Sequence, residues 1–203
     1  MNRVVDPLYC RLAPLYDAIY GLPLEHGRRR ALHRLAPRTG ESILEVGVGT
    51  GFGAGRYPRT CRVTAIDLSA EMLERARARL AKRGCCHVRL CRMDAAQLGF
   101  GDGQFDGVYA PYVLNVVADP VATAREMMRV CRPGGRIVLL NHFSQPDAGG
   151  IVGRVAGQLA GMLSGVNWHL DLDALLRDAG LIATSIEPVN VPRVSSVVVC
   201  RPA

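Results

Sequence analysis

The 203-residue chain lacks any run of about 20 apolar residues without a charge, which argues against a membrane-spanning helix. The first 25 residues also lack the apolar stretch of a secretory signal, so we expect no such signal. No CxxC pair occurs, and the seven cysteines are scattered and odd in number. We therefore expect reduced thiols and no metal site, because disulfide frameworks and zinc sites use paired, regularly spaced cysteines.

Lysine is also nearly absent, since 24 of the 25 basic residues are arginine, yet the net charge is +7. Residues 1–40 hold seven arginines against three acidic residues, a local balance of +4. A basic end of this kind suits nucleic acid or an anionic membrane surface, although a solvated helix face would look the same. Hydrophobic residues make up 49% and charged residues 21%, which excludes a disordered chain and indicates a globular domain with a core.

Short apolar runs alternate with amphipathic segments along the chain, which predicts an α/β fold with a parallel sheet and helices on both faces. The predicted strands are 42–46, 61–66, 87–92, 104–110 and 135–140, and the predicted helices between them include 70–83 and 121–131. After a helix at 172–179, strands at 181–187 and 194–200 follow without a helix between them, so they should pair antiparallel at one side of the sheet. Two N-terminal helices are expected at 8–20 and 24–36.

A glycine-rich loop, Glu45 to Gly51, follows the first strand and carries the strongest functional signal. Glycines let the backbone turn sharply and approach a ligand closely. Asp67 ends the second strand and Asp94 follows the third, so three carboxylates should share one crevice at the carboxyl ends of the strands. Gly49 to Ala54 also fits the dinucleotide fingerprint G-x-G-x-x-A. However, Glu45 would repel a pyrophosphate and suits a sulfonium or ammonium cation, which favours S-adenosylmethionine over NAD.

These segments resemble the class I S-adenosylmethionine-dependent methyltransferases. The matching segments, which follow the family's order and spacing, are Glu45–Gly51, Asp67–Ser69, Met93–Ala95, Phe105–Val108 and Arg132–Arg136. The resemblance implies a three-layer Rossmann-like domain over residues 41–203, with a seven-stranded, mostly parallel sheet whose last strand is antiparallel. It assigns the methionine end of the cofactor to Glu45 and the glycines, the ribose to Asp67 and the adenine to Asp94. The full predicted cofactor-binding set is Glu45, Gly47, Val48, Gly49, Thr50, Gly51, Asp67, Leu68, Met72, Asp94, Ala95 and Ala110.

Three further segments resemble the bacterial phospholipid N-methyltransferases, which convert phosphatidylethanolamine stepwise to phosphatidylcholine. They are Arg11–Asp17 with Tyr20–Gly21, Tyr112–Asn115 and Leu140–Phe143. The resemblance implies a cytoplasmic enzyme, peripherally associated with the inner face of the membrane, with a phospholipid substrate and neither metal nor nucleic acid as partner. Residues 1–40 would then form a helical cap whose positive charge attracts an anionic membrane surface. Ubiquinone and menaquinone methyltransferases share the Tyr-Asp start, which leaves a quinone substrate open.

A glycine-rich segment at 149–165 repeats glycine every four residues among apolar side chains. It is too short and too polar to span a bilayer. It could pack closely against the sheet, or it could form an apolar lid that admits an acyl chain or lies in the membrane interface.

Methyl transfer to a lipid amine requires the neutral amine. Such an amine resembles lysine, whose solution pKa is about 10, so its proton must first be removed. Tyr16, Tyr20 and His142 are therefore the predicted catalytic residues, because they could take the proton or orient the group that does. Aromatic faces could also hold the methylated cation. The predicted substrate-binding residues are Tyr112, Asn115, Arg154, chosen as the cation for the phosphodiester, and Trp168.

Other functions stay open at this stage. A quinone C-methyltransferase or a methyltransferase for a small soluble molecule would use the same cofactor loop. A lipid-surface binding protein with an inactive cofactor fold is the alternative outside enzymes. A nucleic-acid methyltransferase is disfavoured because Ala110-Pro111-Tyr112 stands where an Asn/Asp-Pro-Pro-aromatic motif would be expected. Gly53 and Gly55 also predict a poor helix after the glycine loop.

Overall fold

The computed structural model describes residues 24–143, 170–190 and 195–202. Its strands are β1 (Ser42–Val46), β2 (Arg62–Asp67), β3 (Val88–Arg92), β4 (Phe105–Pro111), β5 (Cys131–Asn141), β6 (Leu181–Val189) and β7 (Ser195–Pro202). Its α-helices are α1 (Glu25–Leu35), α2 (Ala70–Lys82), α3 (Pro120–Val130) and α4 (Leu172–Ala179). The predicted helix at 8–20 and the glycine-rich segment at 149–165 lie outside the described residues.

The strands form one seven-stranded sheet in the order β3-β2-β1-β4-β5-β7-β6. Neighbouring strands from β3 to β5 are parallel, whereas β7 runs antiparallel to both β5 and β6. The predicted mostly parallel sheet with an antiparallel last strand is therefore confirmed. Because β6 is antiparallel to β7, it runs in the same direction as β5. One edge of the sheet thus receives the carboxyl ends of β1 to β6 and the start of β7.

Helices cover both faces of the sheet, as an alternating β/α sequence predicts. Consecutive residues of a strand point to opposite faces. In β5, Val138 packs with the apolar side of α1, and Ile137 packs with α3 and α4. α2 covers β2 and β3 on the same face as α1, where Leu73 and Leu80 pack on Ala65. This three-layer core holds the strand ends, and the loops that follow them, in fixed positions.

The start of β5 differs by four residues from the sequence-based prediction. β5 begins at Cys131, directly after α3, because Cys131 pairs with Phe105 before the register shifts. Arg132 stabilises this early start through a 2.6 Å bond to Asp106. After the glycine loop only a single 3₁₀ turn forms, at Ala54–Arg56, which is consistent with the poor helix that its glycines predict.

The arginines of α1 differ in their surroundings. Arg30 and Arg34 both pair with Glu187 on β6, at 2.6 Å and 2.9 Å from their Nε atoms, so these two charges are partly neutralised. Arg29 is exposed and pairs with Glu25 in its own helix. Within the ranges described, no helix has both the length and the apolar character needed to cross a membrane.

Candidate active site

The glycine loop is held in shape by two of its three glycines. Gly47, Gly49 and Gly51 all have positive φ, at 75°, 54° and 73°. A Cβ on Gly47 would lie 2.5 Å from the side chain of Val113, and one on Gly51 would lie 3.0 Å from the backbone of Ala76. A Cβ on Gly49, by contrast, would meet no described atom within 4 Å. The first and last glycines therefore pack the loop tightly, and the middle glycine leaves its backbone open to a ligand.

Asp67 joins this loop to the start of α2. Its Oδ2 accepts the backbone N–H of Gly49 at 2.8 Å, and its Oδ1 accepts that of Ser69 at 2.9 Å. Burial raises the pKa of Asp67, and the backbone N–H groups of Ser69 and Gly49 oppose the shift. Each carboxylate oxygen still has a lone pair available for another donor. Asp67 can therefore keep the loop in place and accept hydrogen bonds from a diol.

The neighbouring strand ends extend the same edge. Leu68, next to Asp67, is 49% exposed, which is unusual for a large apolar residue at a strand end. Asp94, just beyond β3, is exposed and accepts the N–H of Ala96 at 2.9 Å. An exposed apolar side chain beside an exposed carboxylate suits the face and the amino edge of a purine.

Glu45 lies at the end of β1 with only 2% of its surface exposed. Its Oε2 has no hydrogen-bond partner among the residues the structure describes. Burial raises its pKa to about 7, although the Tyr57 hydroxyl and the Arg28 guanidinium lower it in part. A buried carboxylate without a full set of partners is costly and suits a cationic ligand.

Comparisons with known proteins agree with this geometry. Residues 44–139 match the family model described as a methyltransferase domain. A phosphatidylethanolamine N-methyltransferase of Cereibacter sphaeroides is 40% identical over 158 residues, which are 77% of this chain and 76% of that protein. The chain belongs to the class I S-adenosylmethionine-dependent methyltransferases.

Two further similarities mark the breadth of this family. A ubiquinone/menaquinone biosynthesis C-methyltransferase of Bdellovibrio bacteriovorus is 29% identical over 174 residues, covering 74% of each protein. The solved structure of geranyl diphosphate methyltransferase in complex with S-adenosylmethionine matches with a TM-score of 0.71 at 18% identity, over 87% of this chain and 84% of that one. The second similarity concerns the fold alone.

The methyltransferase uses S-adenosylmethionine, and its residues fit that cofactor. Glu45 Oε2, which has no hydrogen-bond partner within the described ranges, suits the positive charge at the methionine end, and Gly49, whose missing Cβ would meet no described atom within 4 Å, allows close backbone approach. Asp67 suits the ribose diol, and Leu68 suits the adenine face. No cluster of three or more potential metal ligands lies within the described ranges.

The other residues of the predicted cofactor set are buried in the domain. Thr50 is buried, and its hydroxyl accepts a bond from Arg79 at 3.1 Å. The remaining members are also buried: Val48, Met72, Ala95 and Ala110. Individual contacts to the cofactor stay predictions for all of these residues.

His142, Tyr112 and Asn115 meet at the ends of β4 and β5. The rings of Tyr112 and His142 lie 5.3 Å apart. The amide of Asn115 binds both backbone groups of His142, donating to its carbonyl at 2.9 Å and accepting from its N–H at 3.2 Å. Burial raises the pKa of Tyr112, so its hydroxyl keeps its proton. Thus three residues chosen separately from the sequence share one buried polar cluster.

Two members of this cluster were not predicted from the sequence. Asn190, just after β6, donates to the Tyr112 hydroxyl and to Ser195 Oγ, both at 3.0 Å. Ser195, the first residue of β7, lies 3.0 Å from His142 Nδ1. A polar residue at the end of a strand is only a weak signal. Asn190 and Ser195 reach this cluster because β7 lies between β5 and β6, with its first residue at the sheet edge where the other strands end.

Arg28 is a further residue whose role the sequence did not reveal. Its guanidinium lies 5.4 Å from the Phe52 ring centroid and 5.2 Å from that of Tyr112, both within cation–π range. In the sequence it belongs to a run of three arginines that suggests a solvated helix face, or a face that binds nucleic acid or an anionic membrane surface. The packing of α1 on the sheet instead turns Arg28 toward the glycine loop, beside Glu45.

Tyr16, Tyr20, Arg154 and Trp168 lie outside the described residues. Their predicted catalytic and substrate-binding roles therefore stay predictions. His142 is the predicted catalytic residue that the structure describes.

Proposed function

We propose that this methyltransferase transfers methyl groups from S-adenosylmethionine to the amine of phosphatidylethanolamine, stepwise toward phosphatidylcholine, at a membrane surface. The observation that carries the proposal is the 40% identity to a phosphatidylethanolamine N-methyltransferase over 77% of the chain. The other relative reported above is less similar, at 29% identity.

When bound, S-adenosylmethionine supplies an electrophilic methyl group on a sulfonium. With the cofactor held by Glu45, the glycine loop and Asp67, the amine nitrogen would bond to that carbon as the carbon–sulfur bond breaks, and the electron pair would stay on the thioether. The amine must first lose a proton, because an alkyl ammonium has a pKa of about 10 and no free electron pair. Tyr16, Tyr20 and His142 are proposed to accept that proton or to orient its acceptor. Alignment of amine and cofactor, with water excluded, would supply much of the acceleration.

The proposed membrane association rests on charge and on the sequence pattern. The net charge is +7, and residues 1–40 carry a local excess of four positive charges. Each arginine held near an anionic bilayer contributes about 1 kcal/mol of attraction. The glycine-rich segment 149–165 would contact the acyl chains, and Arg154 and Trp168 would contact the phosphodiester. We place this activity on the cytoplasmic side of the membrane.

A quinone C-methyltransferase is the second candidate. The similarity to the Bdellovibrio enzyme covers 74% of both chains and favours this substrate class. Such an enzyme would need to deprotonate a ring hydroxyl, and it would methylate carbon.

A direct test gives the purified protein three acceptors with labelled cofactor: phosphatidylethanolamine vesicles, demethylated quinone in phosphatidylcholine vesicles, and free ethanolamine. We expect label in the lipid headgroup only. The Asp67→Ala variant serves as the control, since it should bind the cofactor poorly and label nothing. Label in the quinone or in free ethanolamine, without label in the lipid, would overturn the proposal.

A further inference from the structure

A cavity of about 570 Å³ opens at the amino-terminal ends of β1 to β4, at the edge of the sheet opposite the candidate active site. Three arginines line it: Arg59, just before β2, Arg62, the first residue of β2, and Arg89 in β3. Among the described residues that line it there is neither an aspartate nor a glutamate. Three positive charges therefore share one cavity without a carboxylate, which suits an anionic ligand.

The side chains of β2 and β3 explain why this part of the sheet is open. Both faces of a parallel sheet are usually covered, and its strands are accordingly apolar. Thr64 pairs with Arg89 on β3 and with Leu44 on β1, so all three lie on the face where α3 packs against β5. Arg62, two residues before Thr64, shares this face. Because Arg62 and Arg89 are exposed, this face presents polar side chains to solvent where a parallel sheet usually carries apolar ones.

Two of the three arginines are held in place by the protein. Arg62 donates from Nε and Nη2 to Ser42 Oγ, at 3.3 Å and 3.2 Å. Arg59 donates to the backbone carbonyls of Gly84 and Arg83, at 3.0 Å and 3.2 Å. A guanidinium has five N–H donors, so each of these side chains keeps donors for a ligand. None of these bonds neutralises a charge, because the acceptors are a hydroxyl and two carbonyls.

His87 is a second sign that a ligand is missing from this cavity. It lines the cavity, and its two ring nitrogens are buried without a hydrogen-bond partner among the described residues. A buried polar atom without a partner is uncommon and costly. An anionic oxygen beside the ring would supply the acceptor that the imidazole N–H lacks.

We propose that this cavity binds a soluble anion that carries a phosphate group, held by Arg59, Arg62 and Arg89. A phosphate group offers several oxygens and up to two negative charges, and a guanidinium can donate to two of these oxygens at once. The ligand is neither the cofactor nor the methyl acceptor, because the cavity lies at the other edge of the sheet.

The position of the cavity favours a soluble anion over a lipid headgroup. β2 has six residues, which at about 3.3 Å each place Arg62 roughly 17 Å from Asp67 at the other end of the strand. A bilayer that presents its lipid to the end with Asp67 would lie away from Arg62 and Arg89. The choice between these two sources rests on the proposed function, whereas the phosphate site itself does not.

The test is a ¹H–¹⁵N NMR titration of the full chain with inorganic phosphate, at constant pH and at an ionic strength held constant with sodium chloride. The amide signals of Arg62, His87 and Arg89 should shift and saturate, with a dissociation constant of about 1 mM or lower. Arg89→Gln should weaken this binding at least about tenfold, because it removes a charged donor. Its affinity for S-adenosylhomocysteine should stay within about twofold of that of the wild type, since Arg89 lies outside the cofactor site.

Arg77→Gln is the matched control, because Arg77 is exposed on α2, does not line the cavity, and carries the same charge. It should leave the affinity for phosphate within about twofold of the wild-type value. A dispersed NMR spectrum shows that each variant is folded. No saturation below about 10 mM phosphate, or equal affinities in the wild type and folded Arg89→Gln, would overturn the proposal.

Vesicles that contain phosphatidic acid and a single-stranded RNA test the other sources of phosphate. If either binds in a way that Arg89→Gln weakens and Arg77→Gln does not, while inorganic phosphate and glycerol 3-phosphate fail to saturate the site, the proposal of a soluble ligand is overturned. None of these measurements uses a methyl acceptor. A failed phosphate titration would therefore leave the proposed lipid activity intact, and absence of lipid methylation would leave the phosphate site intact.

Discussion

At the scale of single residues, the buried carboxylate of Glu45 makes the stability of the ligand-free protein depend on pH. Its pKa is raised by burial from 4.5 to about 7. The folded protein therefore keeps a proton that the unfolded chain loses, and stability falls as pH rises through this interval. Above about pH 7, the ionised Glu45 lowers the free energy of unfolding by roughly 3 kcal/mol in total, at about 1.4 kcal/mol per pKa unit.

Glu45→Gln removes this titration. Between about pH 5 and about pH 8, the free energy of unfolding of the variant should therefore increase relative to that of the wild type. Urea denaturation across this pH range measures the difference. The affinity of the variant for S-adenosylmethionine should instead fall at least about tenfold, because the sulfonium cation loses the negative charge of the Glu45 carboxylate. An equal pH dependence in both proteins would contradict the buried, raised carboxyl group.

Gly49 offers a second test at this scale, with Gly40 as its matched control. Both have positive φ, 54° and 83°, and a Cβ on either would meet no described atom within 4 Å. Alanine should cost each site about 1–2 kcal/mol of stability, through backbone strain alone. Only Gly49→Ala should also weaken S-adenosylhomocysteine binding, by at least about tenfold in calorimetry, since its methyl group fills the ligand's approach. Equal affinities in the two variants would remove Gly49 from the site.

At the scale of elements, the start of β5 depends on the second of two adjacent glycines. A Cβ on Gly135 would lie 2.6 Å from Cys131 Sγ and 2.8 Å from the Arg132 carbonyl oxygen. Gly134 has φ of 74°, but a Cβ there would meet no described atom within 4 Å. Gly134→Ala should therefore cost about 1–2 kcal/mol, and Gly135→Ala should cost more, about 3 kcal/mol or above. Urea unfolding of both variants checks the order, and a reversed order would contradict this packing.

The elements themselves were largely predictable from local pattern. The run of alternating strands and helices gave the central parallel sheet, and the missing helix between β6 and β7 gave the antiparallel pairing. The start of β5 at Cys131 was not predictable, because Pro133 and Gly134 indicate a turn. The bond between Arg132 and Asp106 that stabilises this start joins residues 26 positions apart.

At the scale of the whole molecule, the predicted cofactor residues lie at the ends of β1, β2, β3 and β4, so a bound cofactor should stabilise the entire domain. S-adenosylhomocysteine at about 100 times its dissociation constant should raise the free energy of unfolding by about 2.7 kcal/mol. A thermal or urea denaturation series against ligand concentration measures this shift. Asp67→Ala should lose most of it, and a shift equal to that of the wild type would contradict the role of Asp67.

The candidate cofactor residues could be chosen from the sequence because they follow consecutive strands and lie in recognisable local motifs, and their contacts to the cofactor stay predictions. The cluster around His142 could not be predicted, because it joins Gly27, Tyr112, Asn190 and Ser195 through the three-dimensional order of the strands. Arg28 shows the same limit: its sequence neighbours suggest a solvated face, and only the packing of α1 on the sheet brings it to Phe52 and Tyr112.

The most direct measurement is mass spectrometry of lipids after incubation of the purified enzyme with deuterated-methyl S-adenosylmethionine and vesicles that contain both phosphatidylethanolamine and a demethylated quinone. The account predicts headgroup fragments that carry deuterated methyl groups on nitrogen, with mono-, di- and trimethylated species appearing in succession. Deuterium on the quinone ring alone, or no labelled product from protein that binds the cofactor in calorimetry, would contradict it.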